Sequence, residues 1–261
     1  MFRGTIRVPG DKSITHRALI LAALAEGTSE VFGPLRSDDC RSTVNCLRRL
    51  GVQIAEFPDK TVVEGLGMTG LVSPEAPLDC GNSGTTMRLL AGVLAAPPLV
   101  RVETGDDSLN TRPPGRIVEP PKQMGALIKG RQYDQFAPLV IRGGSLPGIT
   151  YELPTASAQV KSAILLAGLN AEGETRLRGR IDSRDHSERM LAVFGADIYT
   201  TDEEIALRPG HSLKAQTVHI PGDISSAAFF IAAAAAVPGS YLEVEDVGLN
   251  PTRTGFVDVL Q

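Results

Sequence analysis

The 261-residue sequence has few cysteines and lacks a long apolar run. Its three cysteines, Cys40, Cys46 and Cys80, are odd in number and form no C-x-x-C pair, so we expect reduced thiols and neither a disulfide framework nor a zinc site. No apolar run reaches the roughly 18 residues of a membrane span, and the N-terminal segment has no signal-peptide pattern. We therefore expect a soluble cytoplasmic protein without a membrane partner.

Excess positive charge is also absent. The chain has 26 Lys and Arg residues against 30 Asp and Glu residues, which gives a net charge of -4. Nucleic acids and anionic membranes bind to basic surfaces, so neither is expected as the main partner. A local cationic cleft is still compatible with this total, and 42% hydrophobic residues are enough to bury a core.

Two patterns recur along the chain with a period of about 70 residues. Polar loops rich in Gly, Ser, Thr or Asp lead into Ala/Leu-rich helical segments, and they begin at Gly10, Gly81, Thr155 and Gly222. Amphipathic helical stretches that stop at a glycine before a strand-like pair end at Gly51, Gly125 and Gly195. With strands such as TVVEGL and EIALRPG, these patterns predict an α/β fold of repeated units packed around a shared axis, because the unit is longer than common solenoid repeats.

The same spacing predicts where a fourth unit would continue. Each polar loop precedes its stop glycine by 40 to 44 residues, which would put the fourth stop glycine near positions 262 to 266. The segment TRTGFVDVLQ is expected to begin the second helix of that unit. We therefore expect the chain to be a C-terminally truncated fragment.

The loop GDKSITHR carries groups suited to anion binding. A helix N-terminus offers free N–H groups and partial positive charge, to which Lys12, Ser13 and Arg17 add donors. Taken alone, this loop would be interpreted as an N-cap with a solvated lysine, because it lacks the G-x-x-x-x-G-K-[ST] pattern of the phosphate-binding Walker motif. Repetition predicts that several N-termini converge on one cavity, where glycines of GNSGTT allow close approach and Ser157, Gln159 and Lys161 supply donors.

Six motifs, in order along the chain, resemble those of the EPSP (5-enolpyruvylshikimate-3-phosphate) synthase family. They are PGDKSITHRALILAALAEG, GNSGTTMRLLAG, TGDDSLNTRPPGRIVEP, SAQVKSAILLAGL, SRDHSERML and PGDISSAAFFIAAAAAVPGS. The sets G-D-K, S-A-Q-x-K, R-x-H-x-E and N-x-T-R further resemble the bacterial class II subgroup. The resemblance implies an inside-out α/β barrel fold, in which βαβαββ units pack around a pseudo-threefold axis. Residues 12–219 would form a complete three-unit substrate-binding domain, and residues 1–11 and 220–261 part of an incomplete second domain.

The resemblance also implies an activity. Members of the family transfer the enolpyruvyl group of phosphoenolpyruvate to the 5-hydroxyl of shikimate 3-phosphate with release of phosphate, in the shikimate pathway to chorismate and aromatic amino acids. No metal or organic cofactor is implied, the full-length enzyme is expected to be a monomer, and glyphosate is an expected inhibitor. The family's proton-transfer residues come from motifs beyond Gln261, so the chain alone is expected to bind weakly and not to turn over.

Site residues carry over from the matching motifs. Lys12 is expected to touch both substrates and is the catalytic candidate. Phosphoenolpyruvate is expected to contact Gly84 and Arg112, and Gln159 to reach both ligands. Shikimate 3-phosphate is expected to contact Ser13, Arg17, Ser157, Ala158, Gln159 and Arg184.

Without the resemblance, several of these groups have plainer interpretations. Arg112 would be an exposed loop arginine, and His186 a surface helix residue at least as readily as a substrate contact. The adjacent pairs Asp38–Asp39 and Asp106–Asp107 are expected to be solvated caps.

Two other functions remain open from the sequence. One is the sister enolpyruvyl transferase acting on UDP-N-acetylglucosamine, although TGDDSLNTRPPGRIVEP does not resemble its reactive-loop segment and Ser157-Ala158-Gln159 fits the shikimate enzyme better. The other is a non-catalytic binding fragment. Ligand titration combined with a phosphate-release assay separates these functions.

Overall fold

The described residues contain three four-stranded sheets of one common design. The computed structural model describes residues 1–96 and 98–260. The strands are β1 (Arg3–Arg7), β2 (Glu26–Phe32), β3 (Gln53–Glu56), β4 (Lys60–Leu66), β5 (Leu78–Asp79), β6 (Val100–Thr104), β7 (Leu127–Gly130), β8 (Phe136–Arg142), β9 (Thr150–Leu153), β10 (Thr175–Gly179), β11 (Asp197–Thr200), β12 (Glu204–Arg208), β13 (Thr217–His219) and β14 (Tyr241–Glu245). The helices are α1 (Lys12–Leu24), α2 (Asp38–Arg49), α3 (Gly84–Leu94), α4 (Asp107–Asn110), α5 (Gly115–Gln123), α6 (Arg131–Asp134), α7 (Ala158–Gly168), α8 (His186–Val193), α9 (Ile224–Ala236) and α10 (Gly255–Leu260). None of the helices within the described residues has the length and apolar character needed to cross a membrane.

The strand order repeats from sheet to sheet. The orders are β13-β2-β4-β3, β5-β6-β8-β7 and β9-β10-β12-β11, and in each sheet the first pair is parallel and the other pairs are antiparallel. The repeated α/β units predicted from the sequence are therefore confirmed. In the first sheet the outer parallel strand is β13, so Val218 lies opposite Val31 although the two are far apart in the chain.

Helices α1, α3 and α7 are buried on nearly every side. Their N-caps are Asp11, Ser83 and Ser157, whose side chains accept hydrogen bonds from the backbone of the first turn. Between α3 and α7 the backbones are in close contact, since a Cβ added at Gly92 would lie 2.3 Å from the carbonyl oxygen of Ala163. A continuous hydrophobic core runs through all three units as a result.

The stop glycines lie where the sequence predicts them. Helices α2, α5 and α8 are followed by Gly51, Gly125 and Gly195, whose φ angles are 95°, 99° and 91°. This left-handed conformation is costly for residues with a Cβ, which explains why glycine ends these helices.

The two PGD segments cross each other antiparallel. Asp11 N–H donates to the Pro221 carbonyl and Asp223 N–H to the Pro9 carbonyl, both at 2.8 Å. Each aspartate also caps the helix that follows it, Asp11 for α1 and Asp223 for α9. The repeated motif thus forms a paired crossover that places two helix N-termini side by side.

Beyond the crossover, β1 pairs in parallel with β14, and α9 packs against β14. The predicted helix in TRTGFVDVLQ is present as α10. Only Ile224 and Ala227 of α9 are buried, while Phe229 and Phe230 are 80% and 53% exposed. Helix α9 therefore exposes an apolar face at these two residues.

Candidate active site

A cleft of about 340 Å³ lies where four helices begin. Its walls come from the starts of α1, α3, α7 and α9 and from the segments before α8 and α10. Four of its side chains are cationic and two are carboxylates. The lining residues are Asp11, Lys12, Ser13, Arg17, Thr85, Gln159, Arg184, Asp223, Ser225 and Arg253. The N-termini therefore converge, as the repeated loops predict, and their partial positive charges add to those of the side chains.

Lys12 is the first residue of α1, and its ammonium group forms an ion pair with Asp39. The Lys12 side chain is 44% exposed, so it remains accessible from the cleft. Ser37 is the N-cap of α2, accepting from the backbone of Cys40. The expectation that Asp39 is merely a solvated cap is therefore wrong, because its carboxylate is engaged with Lys12.

The Arg17 guanidinium is nearly saturated with hydrogen bonds. Its Nε donates to Ser187 Oγ at 2.7 Å, its Nη1 to Ser13 Oγ at 2.7 Å and to the Ser13 carbonyl at 3.1 Å, and its Nη2 to Ser162 Oγ at 2.7 Å. A guanidinium has five N–H groups, so one remains for a ligand. Burial, followed by repulsion from Arg184, lowers the Arg17 pKa to about 10, which leaves it charged at neutral pH.

His186 lies inside the protein at the start of α8. Its Nδ1 is 3.0 Å from Ser13 Oγ, and the residue is only 5% exposed. Burial lowers its pKa, which favours the neutral imidazole. The surface position considered for His186 is therefore wrong, and the ring instead helps to orient the Ser13 hydroxyl.

Gln159 connects the starts of α7 and α3. Its Nε2 donates to Thr85 Oγ1 at 3.2 Å, and its Oε1 accepts from Arg88 Nη1 at 2.9 Å. Ser157 and Ala158 lie just before it, Ser157 as the N-cap of α7 and Ala158 as a buried first residue. Of these three predicted site residues, only Gln159 lines the cleft itself.

Gly84 and Arg112 lie outside the residues that line the cleft. Gly84 is the first residue of α3, and a Cβ there would lie 2.8 Å from Arg88 Nη1. Arg112 is exposed, and its Nη2 donates to Asn82 Oδ1 at 2.7 Å and to Ser108 Oγ at 3.0 Å. Both residues thus border the loop before α3.

Lys161 does not supply a donor to the cavity, contrary to the sequence-based expectation. It is 1% exposed, and its Nζ lies 2.5 Å from Glu188 Oε1. The last residues of the S-A-Q-x-K and R-x-H-x-E motifs therefore meet in a buried ion pair behind the cleft.

Arg184 and Arg253 supply the remaining cationic groups of the cleft. Burial and then repulsion from Arg253 lower the pKa of Arg184. The Arg253 Nη2 donates to Ser225 Oγ. Arg253 was not among the predicted site residues, although the N-x-T-R motif contains it. An anion between these guanidinium groups would relieve their mutual repulsion. Among the described residues, no group of three or more His, Cys, Asp or Glu side chains is placed to hold a metal ion.

Comparison with known proteins identifies the family. The model of the EPSP synthase family, described as EPSP synthase (3-phosphoshikimate 1-carboxyvinyltransferase), matches residues 1–261. The chain belongs to the EPSP synthase family. It is 54% identical over 258 residues to the 3-phosphoshikimate 1-carboxyvinyltransferases of Alkaliphilus metalliredigens and Shouchella clausii. Each alignment covers 99% of this chain and 60% of the relative.

A solved EPSP synthase structure from Acinetobacter baumannii has the same fold. It superimposes with a TM-score of 0.93 at 47% identity, over 99% of this chain and 58% of the other. The EPSP synthase fold class expected from the motifs is confirmed by this match. The chain spans about 60% of the length of the curated relatives it matches.

Proposed function

We propose that this EPSP synthase chain forms the shikimate 3-phosphate-binding part of a 3-phosphoshikimate 1-carboxyvinyltransferase. The observation that carries the proposal is the convergence of Lys12, Arg17, Arg184 and Arg253 on a cleft at the starts of four helices. A ligand with one phosphate and one carboxylate needs cations and oriented N–H groups in a poorly solvated site. The cytoplasmic location, the role in chorismate formation and the monomeric state of the full-length enzyme are parts of the same proposal.

The roles of individual residues follow from their positions. Lys12 is accessible and would exchange part of its interaction with Asp39 for contacts to both substrates. Ser13 would donate or accept through a hydroxyl held by Arg17 and His186. Arg17 would act mostly through its charge, since four of its N–H groups are already donated. Gln159 and Arg184, together with the α7 start at Ser157 and Ala158, would complete the contacts to shikimate 3-phosphate.

The loop before α3 would hold phosphoenolpyruvate through Gly84 and Arg112, with Gln159 reaching both ligands. Arg88 joins this loop to Gln159 and crowds any side chain at position 84. Glyphosate, the proposed inhibitor, is longer than phosphoenolpyruvate, so Gly84→Ala in a full-length enzyme should raise the inhibition constant of glyphosate more than the KM for phosphoenolpyruvate. Equal changes would show that this loop does not discriminate between the two.

We propose that the chain alone binds without turnover. The two carboxylates that line the cleft, Asp11 and Asp223, already accept backbone hydrogen bonds as helix caps, and Asp39 is paired with Lys12. A proton-transfer residue needs a group free to reach the reacting atoms. The acid and base are therefore assigned to the additional length present in the relatives.

Calorimetric titration of the 261-residue protein with shikimate 3-phosphate, alongside UDP-N-acetylglucosamine, tests the substrate assignment. We expect binding of shikimate 3-phosphate only, and no phosphate release when phosphoenolpyruvate is added. Binding of the UDP-sugar instead would favour the sister transferase. Phosphate release at a rate of about 1 s⁻¹ or more would contradict the absence of turnover.

A further inference from the structure

The segment between β10 and α8 carries Arg184 into the cleft without a direct anchor on its guanidinium. In the described part of the chain, no protein group accepts a hydrogen bond from that guanidinium, which lies among the cations Arg17 and Arg253 and the carboxylates Asp11 and Asp223. Attraction to the two carboxylates opposes repulsion from the two cations, so these charges alone do not fix the direction of the side chain. The position of Arg184 therefore depends on what holds residues 180–185.

Lys161 holds this segment from behind. Its Nζ donates to the carbonyl oxygens of Ile181 at 3.0 Å and Ser183 at 3.2 Å, in addition to its ion pair with Glu188. Two of the three ammonium N–H groups therefore donate to backbone carbonyls, while Glu188 Oε1 lies 2.5 Å away as an ion-pair partner. Since Ser183 immediately precedes Arg184, the buried ammonium fixes the backbone at the point from which Arg184 projects.

Glu188 lies on α8, which begins two residues after Arg184. The Lys161–Glu188 pair therefore also connects α7, whose start forms one wall of the cleft, to the helix that follows the Arg184 segment. On the other side of Arg184, the Asp185 carboxylate accepts from Asn250 Nδ2 at 2.6 Å and from Arg189 Nε at 2.7 Å. Arg184 thus lies between two anchored neighbours.

We infer that the buried Lys161–Glu188 ion pair is a positioning device that keeps Arg184 aimed into the anion cleft. The inference rests on the proposed binding of shikimate 3-phosphate in that cleft. Burying two charges is costly, and a buried pair can often be replaced by apolar residues without loss of stability. The contacts to the Ile181 and Ser183 carbonyls give the pair a role that apolar residues could not take over.

A double-mutant cycle measures whether the pair acts through Arg184. The variants are Lys161→Met/Glu188→Leu, which removes both charges together, Arg184→Ala, and the combination of all three. Calorimetry should give about tenfold weaker shikimate 3-phosphate binding for the paired replacement and about 10- to 30-fold weaker binding for Arg184→Ala. The combination should bind no more than about twofold more weakly than Arg184→Ala alone, because the pair has no further effect once Arg184 is gone.

Two controls separate positioning from general damage. Lys12→Ala combined with the paired replacement should show additive losses, since Lys12 is not attached to this segment. Arg101→Met, which removes another buried cation on β6, should change the dissociation constant by less than about twofold. Amide hydrogen exchange at residues 181–185 should be at least about tenfold faster in the paired replacement than in wild type, and unchanged in Arg101→Met.

The outcomes are distinct. The inference is overturned if the losses of binding free energy from Arg184→Ala and from the paired replacement add in the combined variant. It is also overturned if the paired replacement binds shikimate 3-phosphate as tightly as wild type. Either result leaves the proposed function in place. If Arg184→Ala binds as tightly as wild type, the assignment of Arg184 to the ligand fails and the inference fails with it. If the paired replacement does not fold, Glu188→Gln takes its place, since it keeps the shape of the side chain but removes its charge. Glu188→Gln must then weaken shikimate 3-phosphate binding in the wild-type protein and have no effect on binding in the Arg184→Ala variant.

Discussion

At the scale of single residues, Lys12 offers an accessible charge in the cleft, since its side chain is 44% exposed. Its ammonium group is shared with Asp39, so a bound anion has to compete with that carboxylate. We expect Lys12→Ala to weaken shikimate 3-phosphate binding by about 1.5 to 3 kcal/mol, the range for a hydrogen bond to a charged group. Asp39→Asn, the matched control, should leave binding equal or tighter because the competing charge is gone. An unchanged calorimetric titration for Lys12→Ala would remove Lys12 from the site.

His16 should make stability depend on pH. It is fully buried, with Nδ1 at 2.7 Å from Thr43 Oγ1, and burial followed by the Lys12 charge lowers its pKa to about 3. The unfolded chain has a histidine pKa of about 6.5, so below that pH the unfolded state binds a proton that the folded state refuses. The stabilisation is complete above about pH 6.5 and is lost progressively as the pH falls toward about 3.

Urea unfolding at several pH values checks this prediction. Between about pH 6 and 5, His16→Gln should reduce the slope of unfolding free energy against pH by about 1 kcal/mol per pH unit. His186, whose pKa is also lowered by burial, is present in both proteins and does not affect the comparison. Equal slopes for the two proteins would show that His16 does not titrate as its burial requires.

Some residue-level features were predictable because they depend on local chemistry. A Lys, Ser or Gln in the first turn after a capping residue lies at a helix N-terminus in any fold, which explains Lys12, Ser13 and Gln159. The burial of Lys161 and His186 could not be predicted in this way. Their partners, Glu188 and Ser13, are 27 and 173 residues away in the chain.

At the scale of elements, the contact between α3 and α7 depends on Gly92. A Cβ at this position would approach the Ala163 backbone to 2.3 Å, which the two buried helices cannot accommodate without moving apart. We expect Gly92→Ala to lower the free energy of unfolding by about 1 to 3 kcal/mol, measured by urea unfolding. Gly255→Ala at the start of α10 is the control, since no atom lies within 4 Å of the added Cβ. Equal effects of the two substitutions would contradict the close helix contact.

The elements themselves were largely predictable from local signals. Capping residues mark the starts of α1, α3, α7 and α9, and glycines with positive φ mark the ends of α2, α5 and α8. The pairing of β13 with β2 was not predicted from the sequence. That pairing depends on the path of the whole chain, which brings Thr217–His219 back beside Glu26–Phe32.

At the scale of the whole molecule, α9 leaves an apolar face exposed. Phe229 and Phe230 are 80% and 53% exposed, while Ala227 on the same helix is fully buried. We expect Phe229→Gln/Phe230→Gln to reduce self-association in light scattering without lowering the unfolding free energy, because these side chains bury little area. Ala227→Gln, the control, should instead destabilise the fold. Self-association that persists unchanged in the double variant would show that this face is not responsible.

The overall charge of the molecule carried little information about its site. A net charge of -4 is compatible with the observed cleft, because its four cations come from α1 and from the segments before α8 and α10, which are distant in sequence. Boundaries at residues 12–219 for a complete domain remain a prediction. Both the cleft and the crossover depend on contact between the two PGD segments, which was not predicted from the sequence.

We propose that shikimate 3-phosphate binds where the helix N-termini converge. Chemical-shift mapping of the ¹⁵N-labelled protein tests it most directly. We expect the largest shifts at residues 11–17, 157–161 and 183–186, and none in the separate cavity lined by Met68, Leu99 and Asn170. Shikimate without its phosphate should perturb the same residues, but its dissociation constant should be at least about tenfold higher because the charge-assisted bonds are lost. Shifts centred on that other cavity, or equal affinity for the two ligands, would contradict phosphate recognition at the helix N-termini.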